Sequence, residues 1–248
     1  MTVAAGRETD LATALAALRD RLSDAARAAD RDVDDVELLP ITKFFPASDV
    51  AILWRLGCRA FGESREQEAS AKIAEFGELT GASDVRWDMV GQIQSNKAKA
   101  VAAWADRVHS LSTAKVAAAL DRGAARAMEE GSRTAPVQVF VQISLDGDTS
   151  RGGVDVGDPA AVDTLCAQVA GAAALRLAGL MAIPPLGADP DTAFAALAAE
   201  HRRILQNHPD ATELSAGMSG DLEAAVRHGS TCVRVGTALM GQRPLTSP

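Results

Sequence analysis

The sequence predicts an α/β chain folded as a single (β/α)8 TIM barrel with an extra N-terminal helix. Three observations carry this expectation. Eight short β-rich runs alternate with alanine-rich stretches of helical spacing. The length, 248 residues, suits one such barrel and is too short for a barrel plus a substantial second domain. The hydrophobic fraction, 47%, is enough for one large core. An open doubly wound sheet would instead carry G-x-G-x-x-G near its start, and none is present there. Residues 1–248 are therefore read as one domain.

Leu11, Leu15, Leu18 and Leu22 recur at helical spacing, with Thr9 or Asp10 available as N-cap. This predicts an amphipathic helix over 9–30, placed as a cap on the bottom of the barrel. The acidic stretch Asp30 to Glu37 is read as facing solvent. The strand runs are 36–42, 59–62, 85–90, 107–110, 136–144, 175–182, 212–215 and 232–236. Between them, segments such as 47–57, 64–76, 113–130, 158–173 and 190–206 have the apolar spacing of helices that pack on a sheet. Trp54 and Trp104 fit helix–sheet packing, and Cys58 and Cys232, each beside a strand, fit burial. His201, His208 and His228 are read as surface groups, and none has metal-ligand spacing.

Composition excludes several classes. A net charge of −8 argues against a nucleic-acid backbone binder. No apolar run approaches the length of a membrane span. Met1 to Arg7 lacks the features of a signal peptide, and three widely spaced cysteines do not make a disulfide framework. A reduced, cytoplasmic setting follows. The chain contains no tyrosine, so no mechanism that needs a phenol is open to it.

In a barrel of this kind the site lies at the C-terminal ends of the strands. Lys43 ends the first run, after Val36, Leu38, Leu39 and Ile41. Apolar surroundings favour the neutral amine, the form that attacks a carbonyl to give a Schiff base. The plain alternative is a strand-end lysine reaching back to water. Ser215-Ala216-Gly217-Met218-Ser219-Gly220-Asp221 then passes from the seventh strand into a helix through small residues, and Arg234-Val235-Gly236-Thr237 ends the eighth. Either loop alone reads as an ordinary βα turn. Together, after strands seven and eight, they read as a phosphate cradle, with Ser219 and Thr237 as donors, Gly236 permitting close backbone approach and the following helix offering its N-terminal amides. Arg234 is two residues before Gly236 and so shares its face; its alternative is an ion pair with a carboxylate such as Glu213. A reactive lysine, a phosphate cradle and an inward arginine together suit pyridoxal phosphate (PLP).

The motifs that carry a family resemblance run through nearly the whole chain after the first helix. They are LPITKFFP around Lys43, FGESREQE from Phe61, WDMVGQIQSNKAK from Trp87, HSLS at His109, GLMAIPP at Gly179, LSAGMSGDLEAAVRHGST from Leu214, and VRVGTALMGQR ending at Arg243. The chain resembles the pyridoxal phosphate homeostasis proteins, small barrels related to the N-terminal domain of alanine racemase and of the type III PLP fold. The resemblance implies Lys43 as the cofactor lysine, Ser219, Gly236 and Thr237 as phosphate ligands, and Arg234 as partner of the ring nitrogen. Ser64, Ser215, Gly217 and Met218 complete the expected cofactor-binding set. Where Ser64 and Gln92 stand, the family usually has Asn and His, so no acid/base role passes to Gln92.

These residues lead to an expectation of a carrier rather than an enzyme. A racemase of this fold type opposes a lysine with a tyrosine, which is absent here, and draws on a second β-domain, for which no residues follow Pro248. The expected role is PLP homeostasis by reversible binding, with apo-PLP enzymes as recipients, no nucleic-acid or membrane partner, and a monomer or weak homodimer. The alternatives are a weak racemase or lyase using the cofactor, and a cofactor-free Schiff-base aldolase on a phosphosugar. The aldolase would need an acid/base group near Lys43, for which Glu63 is the candidate.

Overall fold

A computed structural model describes residues 3–242. Its strands are β1 (Glu37–Pro40), β2 (Ala60–Glu63), β3 (Arg86–Met89), β4 (Arg107–Leu111), β5 (Val137–Ser144), β6 (Val154–Asp155), β7 (Leu175–Ala182), β8 (Glu213–Ser215) and β9 (Cys232–Val235). They pair in parallel in the order β1-β9-β8-β7-β5-β4-β3-β2, and the two-residue β6 adds to the edge of β5. β6 is the one addition to the eight expected runs, so the seventh and eighth barrel strands are β8 and β9. The ends of the sheet meet where Ile41 bridges Gly62 and the Thr42 N–H donates to the Gly62 carbonyl at 3.0 Å. A Cβ on Gly62 would lie 2.4 Å from Ile41 Cδ1, so glycine is what lets the two strand ends approach. The result is a nearly closed eight-stranded barrel.

The helices α2 (Ala47–Arg55), α3 (Glu66–Thr80), α4 (Ala98–Trp104), α5 (Ala114–Glu129), α6 (Pro159–Ala170) and α7 (Pro190–Leu205) alternate with the strands. Several begin where the sequence provides a cap. Thr113 accepts from the Val116 N–H, while Asp158 and Asp189 accept from Ala161 and Thr192 ahead of a first-turn proline. Two short helices, α8 (Leu222–Arg227) and α9 (Thr237–Met240), follow the last two strands.

The leading helix α1 (Val3–Ala28) does not cap the bottom of the barrel. Its buried leucines 11, 15, 18 and 22 share one apolar cluster with Val50 and Leu53 of α2, Leu222 and Val226 of α8, and Leu239 and Met240 of α9. Val233 and Val235, on the outer face of β9, belong to the same cluster. With only four residues, α9 is too short to cover that face. α1 takes the vacant place in the helical ring and seals the side of the barrel.

Outside the strands the core is apolar: Val108, Leu111, Val139, Val141 and Leu214 meet the helices. Inside, the lower barrel is ionic. Glu37 is turned inward rather than to solvent, because it shares the parity of Leu39. It accepts from Arg86 Nη2 at 2.5 Å, and Arg107 pairs with Glu213 at 2.7 Å. His201 is likewise buried rather than superficial, and its Nε2 is 2.7 Å from the Ala211 carbonyl. All three cysteines are buried and unbridged.

Candidate functional site

Lys43 leaves the mouth end of β1 with the same parity as Leu39 and Ile41, whose side chains pack inside against Ala60 and Cys232. It is half-buried, and its Nζ lies 5.9 Å from the centroid of the Phe44 ring. β9 runs beside β1, and the Ile41 N–H donates to the Val235 carbonyl at 2.9 Å. A Cβ placed on Gly236 would sit 3.6 Å from Ile41 Cβ. Lys43 and Gly236-Thr237 therefore leave neighbouring strands side by side.

The second half of the cradle follows β8. Gly217 has φ +90°, and a Cβ there would come within 2.5 Å of Ala225 Cβ, so only glycine makes this turn. Its carbonyl accepts from the Arg234 N–H at 2.9 Å, which ties the turn to β9. The two loops meet where Ser219 Oγ accepts from the Ala238 N–H at 3.3 Å. The Met218 N–H is spent on Asp221 Oδ1 at 2.6 Å, which also turns that acid back into its own loop. Because α8 and α9 have only six and four residues, their dipoles are small. An anion here depends on individual donors, the hydroxyls and N–H groups around Ser219, Gly236 and Thr237.

Arg234 is 5% exposed and does not pair with Glu213, which is taken by Arg107. Its Nη1 donates to Ser215 Oγ at 2.6 Å and its Nη2 to the Ala182 carbonyl at 2.9 Å. Ser215 is fully buried beneath it. His109 Nδ1 is 2.8 Å from Ser215 Oγ, and Nε2 is 3.1 Å from Asp88 Oδ2. Arg86 Nε in turn donates to Asp88 Oδ1 at 2.8 Å.

The directions along this thread follow from the inventory of donors. Ser215 Oγ accepts a hydrogen bond from Arg234, and with a neutral imidazole that donates Nε2–H to Asp88 it is His109 Nδ1 that accepts from the Ser215 hydroxyl. Burial pushes His109 below the ordinary histidine value, against the pull of Asp88, so the ring is neutral. Burial alone would raise the Asp88 carboxyl, but His109 and Arg86 outweigh it and hold the group below the usual carboxylate range. Arg234 is thus anchored by neutral oxygens and keeps its charge for a ligand. Sequence reasoning missed Asp88 and Arg86. Their signal was charge at alternate positions of a strand, Arg86 and Asp88, facing Arg107 and His109 on the next.

Ser64 and Gln92 stand at the mouth ends of β2 and β3. Gly91 presses on Ser64 so closely that a Cβ would lie 2.1 Å from its carbonyl oxygen. Both residues line a cleft of about 970 Å³ with Phe44, on the side of α3 and α4. Glu63, with the opposite parity, points out of the barrel. Its Oε1 accepts from Thr42 Oγ1 at 2.7 Å and from Lys72 Nζ at 2.6 Å. The acid/base partner required by a lysine aldolase is therefore engaged outside the barrel wall. Arg243, the end of the last motif, lies outside the described residues.

Residues 14–244 match the family model for the alanine racemase N-terminal domain. The chain is 60% identical over 247 residues to a protein of Mycobacterium leprae named pyridoxal phosphate homeostasis protein, covering 98% of this chain and 96% of that one. Among solved structures it is similar to PipY of Synechococcus elongatus with PLP bound, at 34% identity and TM-score 0.77, covering 93% of this chain and all of that one (100%). Alanine racemase of Corynebacterium glutamicum shares the fold at TM-score 0.62 and 16% identity, covering 91% of this chain and 61% of the racemase.

Proposed function

The chain belongs to the alanine racemase N-terminal domain family and, within it, to the pyridoxal phosphate homeostasis proteins, and from that membership we propose that it binds PLP at the barrel mouth, buffering and delivering it without amino-acid turnover. The observation that carries this reading is the convergence of three groups on one mouth. Lys43 and Gly236-Thr237 leave adjacent strands, and Arg234 lies on the same face just below. Bound PLP supplies an aldehyde that condenses reversibly with a neutral amine, so a lysine can both hold the cofactor and give it up.

Each residue has a part in this reading. Lys43 is the amine. Ser219, Gly236 and Thr237 hold the phosphate, while Gly217 and Met218 shape their loop. Arg234 faces the ring nitrogen, Ser215 props Arg234 from below, and Ser64 forms a side wall. Burial holds Arg234 below the ordinary arginine value, but a guanidinium is still a far weaker acid than a pyridinium and does not protonate the ring nitrogen, so the ring stays a weak electron sink. The absence of tyrosine removes the second base of a racemase. Both features favour carriage over turnover, with apo-PLP enzymes as recipients and a monomer or weak homodimer acting in the cytoplasm. No helix among the described residues is long and apolar enough to cross a membrane.

The test is an ultraviolet–visible titration with PLP, beside Lys43→Ala. A visible band present in the wild type and lost in the variant is the expected result, with cofactor transfer to an apo-enzyme as the follow-up. Amino-acid turnover that Lys43→Ala abolishes would overturn the carrier reading.

A further inference from the structure

We propose that Lys72, with Glu63 and Glu68, is a clamp that sets the direction of Lys43, a positioning device that touches neither cofactor nor reacting atoms. The inference rests on the reading of Lys43 given above. Lys72 rises from α3 and is only 5% exposed, and its ammonium meets three oxygens. These are the Thr42 carbonyl at 2.9 Å, Glu63 Oε1 at 2.6 Å and Glu68 Oε1 at 3.4 Å. The same Glu68 oxygen accepts the Phe44 N–H at 2.6 Å. The two peptide groups on either side of Lys43 are thus both held, one by its carbonyl and one by its amide. Those two planes define φ and ψ of Lys43, and with them the direction of its Cα–Cβ bond.

Two further observations point the same way. Phe44 has φ +70°, a conformation that bulky side chains avoid and that persists where the surroundings over-determine it. The clamp provides that constraint, together with the Phe45 N–H, which donates to the Thr42 carbonyl at 3.1 Å. Glu63 Oε2 is buried with no hydrogen-bond partner, so the cluster is not arranged for stability alone. An apolar residue at 72 would cover the same surface without desolvating a charge. What the ions add is directional hold on the backbone next to Lys43.

The experiment loads wild type, Lys72→Met, Glu68→Ala, Glu68→Gln and Lys43→Ala with PLP. It then measures the rate at which semicarbazide strips the Lys43-dependent visible band, beside each protein's thermal midpoint. Lys72→Met keeps the aliphatic stem and should strip roughly ten- to a hundredfold faster, the scale expected when a reacting group is displaced. Glu68→Ala should follow it, and Glu68→Gln, which keeps an acceptor for the Phe44 amide, should recover most of the loss. Should Lys72→Met fail to fold, the half-exposed Glu68 pair decides alone, since equal stripping of Glu68→Ala and Glu68→Gln overturns the clamp. A folded Lys72→Met that strips at the wild-type rate also overturns it. A band that survives Lys43→Ala is a different failure, sinking the reading of Lys43 and the clamp with it.

Discussion

At the residue scale, Ser215 shows how a small hydroxyl can hold a charged group in place. It is the only link in the thread that both accepts from Arg234 and faces His109. Ser215→Ala would leave an arginine N–H and an imidazole nitrogen buried without their partner. Each such loss costs about 1–3 kcal/mol. The expected outcome is a lower urea midpoint together with weaker PLP binding, read by denaturation and by titration of the visible band. Unchanged binding at reduced stability would confine Ser215 to a packing role. Ser215 was expected at the site, but the contacts it makes were not legible beforehand. Lys43, Gly236 and Arg234 announce themselves by position on a strand end, whereas the Ser215–His109 and His109–Asp88 contacts join residues 106 and 21 apart in the chain. A sequence shows parity along one strand but not which polar residues of different strands share a layer.

At the element scale, α1 joins the parts of the site that the barrel leaves loose. Arg21 Nη1 donates to the Ser219 carbonyl at 2.7 Å, and its Nη2 to Glu223 Oε2, also at 2.7 Å. Arg7 bonds Asp49 Oδ2 at 2.6 Å and the Met240 carbonyl at 3.0 Å. The helix therefore grips α2, α8, α9 and the cradle loop at once. Arg21→Ala removes a partly exposed pair, worth about 0–1 kcal/mol of stability. The same change frees the Ser219 turn, so PLP affinity should fall several-fold while the thermal midpoint hardly moves. Leu15→Ala tests the other role of α1. It empties a fully packed site and should cost about 2–5 kcal/mol, measured by urea unfolding. The strand order and most helices were legible because alternation and helical spacing repeat along the chain. The place of α1 was not. Periodicity shows that a helix has an apolar face, but what that face covers depends on α9 being too short, a fact about the other end of the chain.

At the scale of the whole molecule, the interior is polar where ordinary barrels are aliphatic, and this makes stability depend on pH. His109 and His201 are both held below the ordinary histidine value, chiefly by burial. Unfolded, each takes up a proton near pH 6.5. Folded, each resists protonation until a lower pH. The stability they contribute is therefore complete above about 6.5 and is lost as pH falls below it. Glu63 and Asp106, raised by burial, carry the opposite sign. A single-residue comparison is needed to separate the two. His201 suits it, since it lies on α7, away from the thread around Arg234, and its one bond to the Ala211 carbonyl can be kept by a glutamine amide. The urea midpoint of His201→Gln, followed from pH 7.5 to 5.5, should fall less steeply than that of the wild type. Parallel slopes would mean that His201 titrates alike in both states, and that burial does not govern its proton.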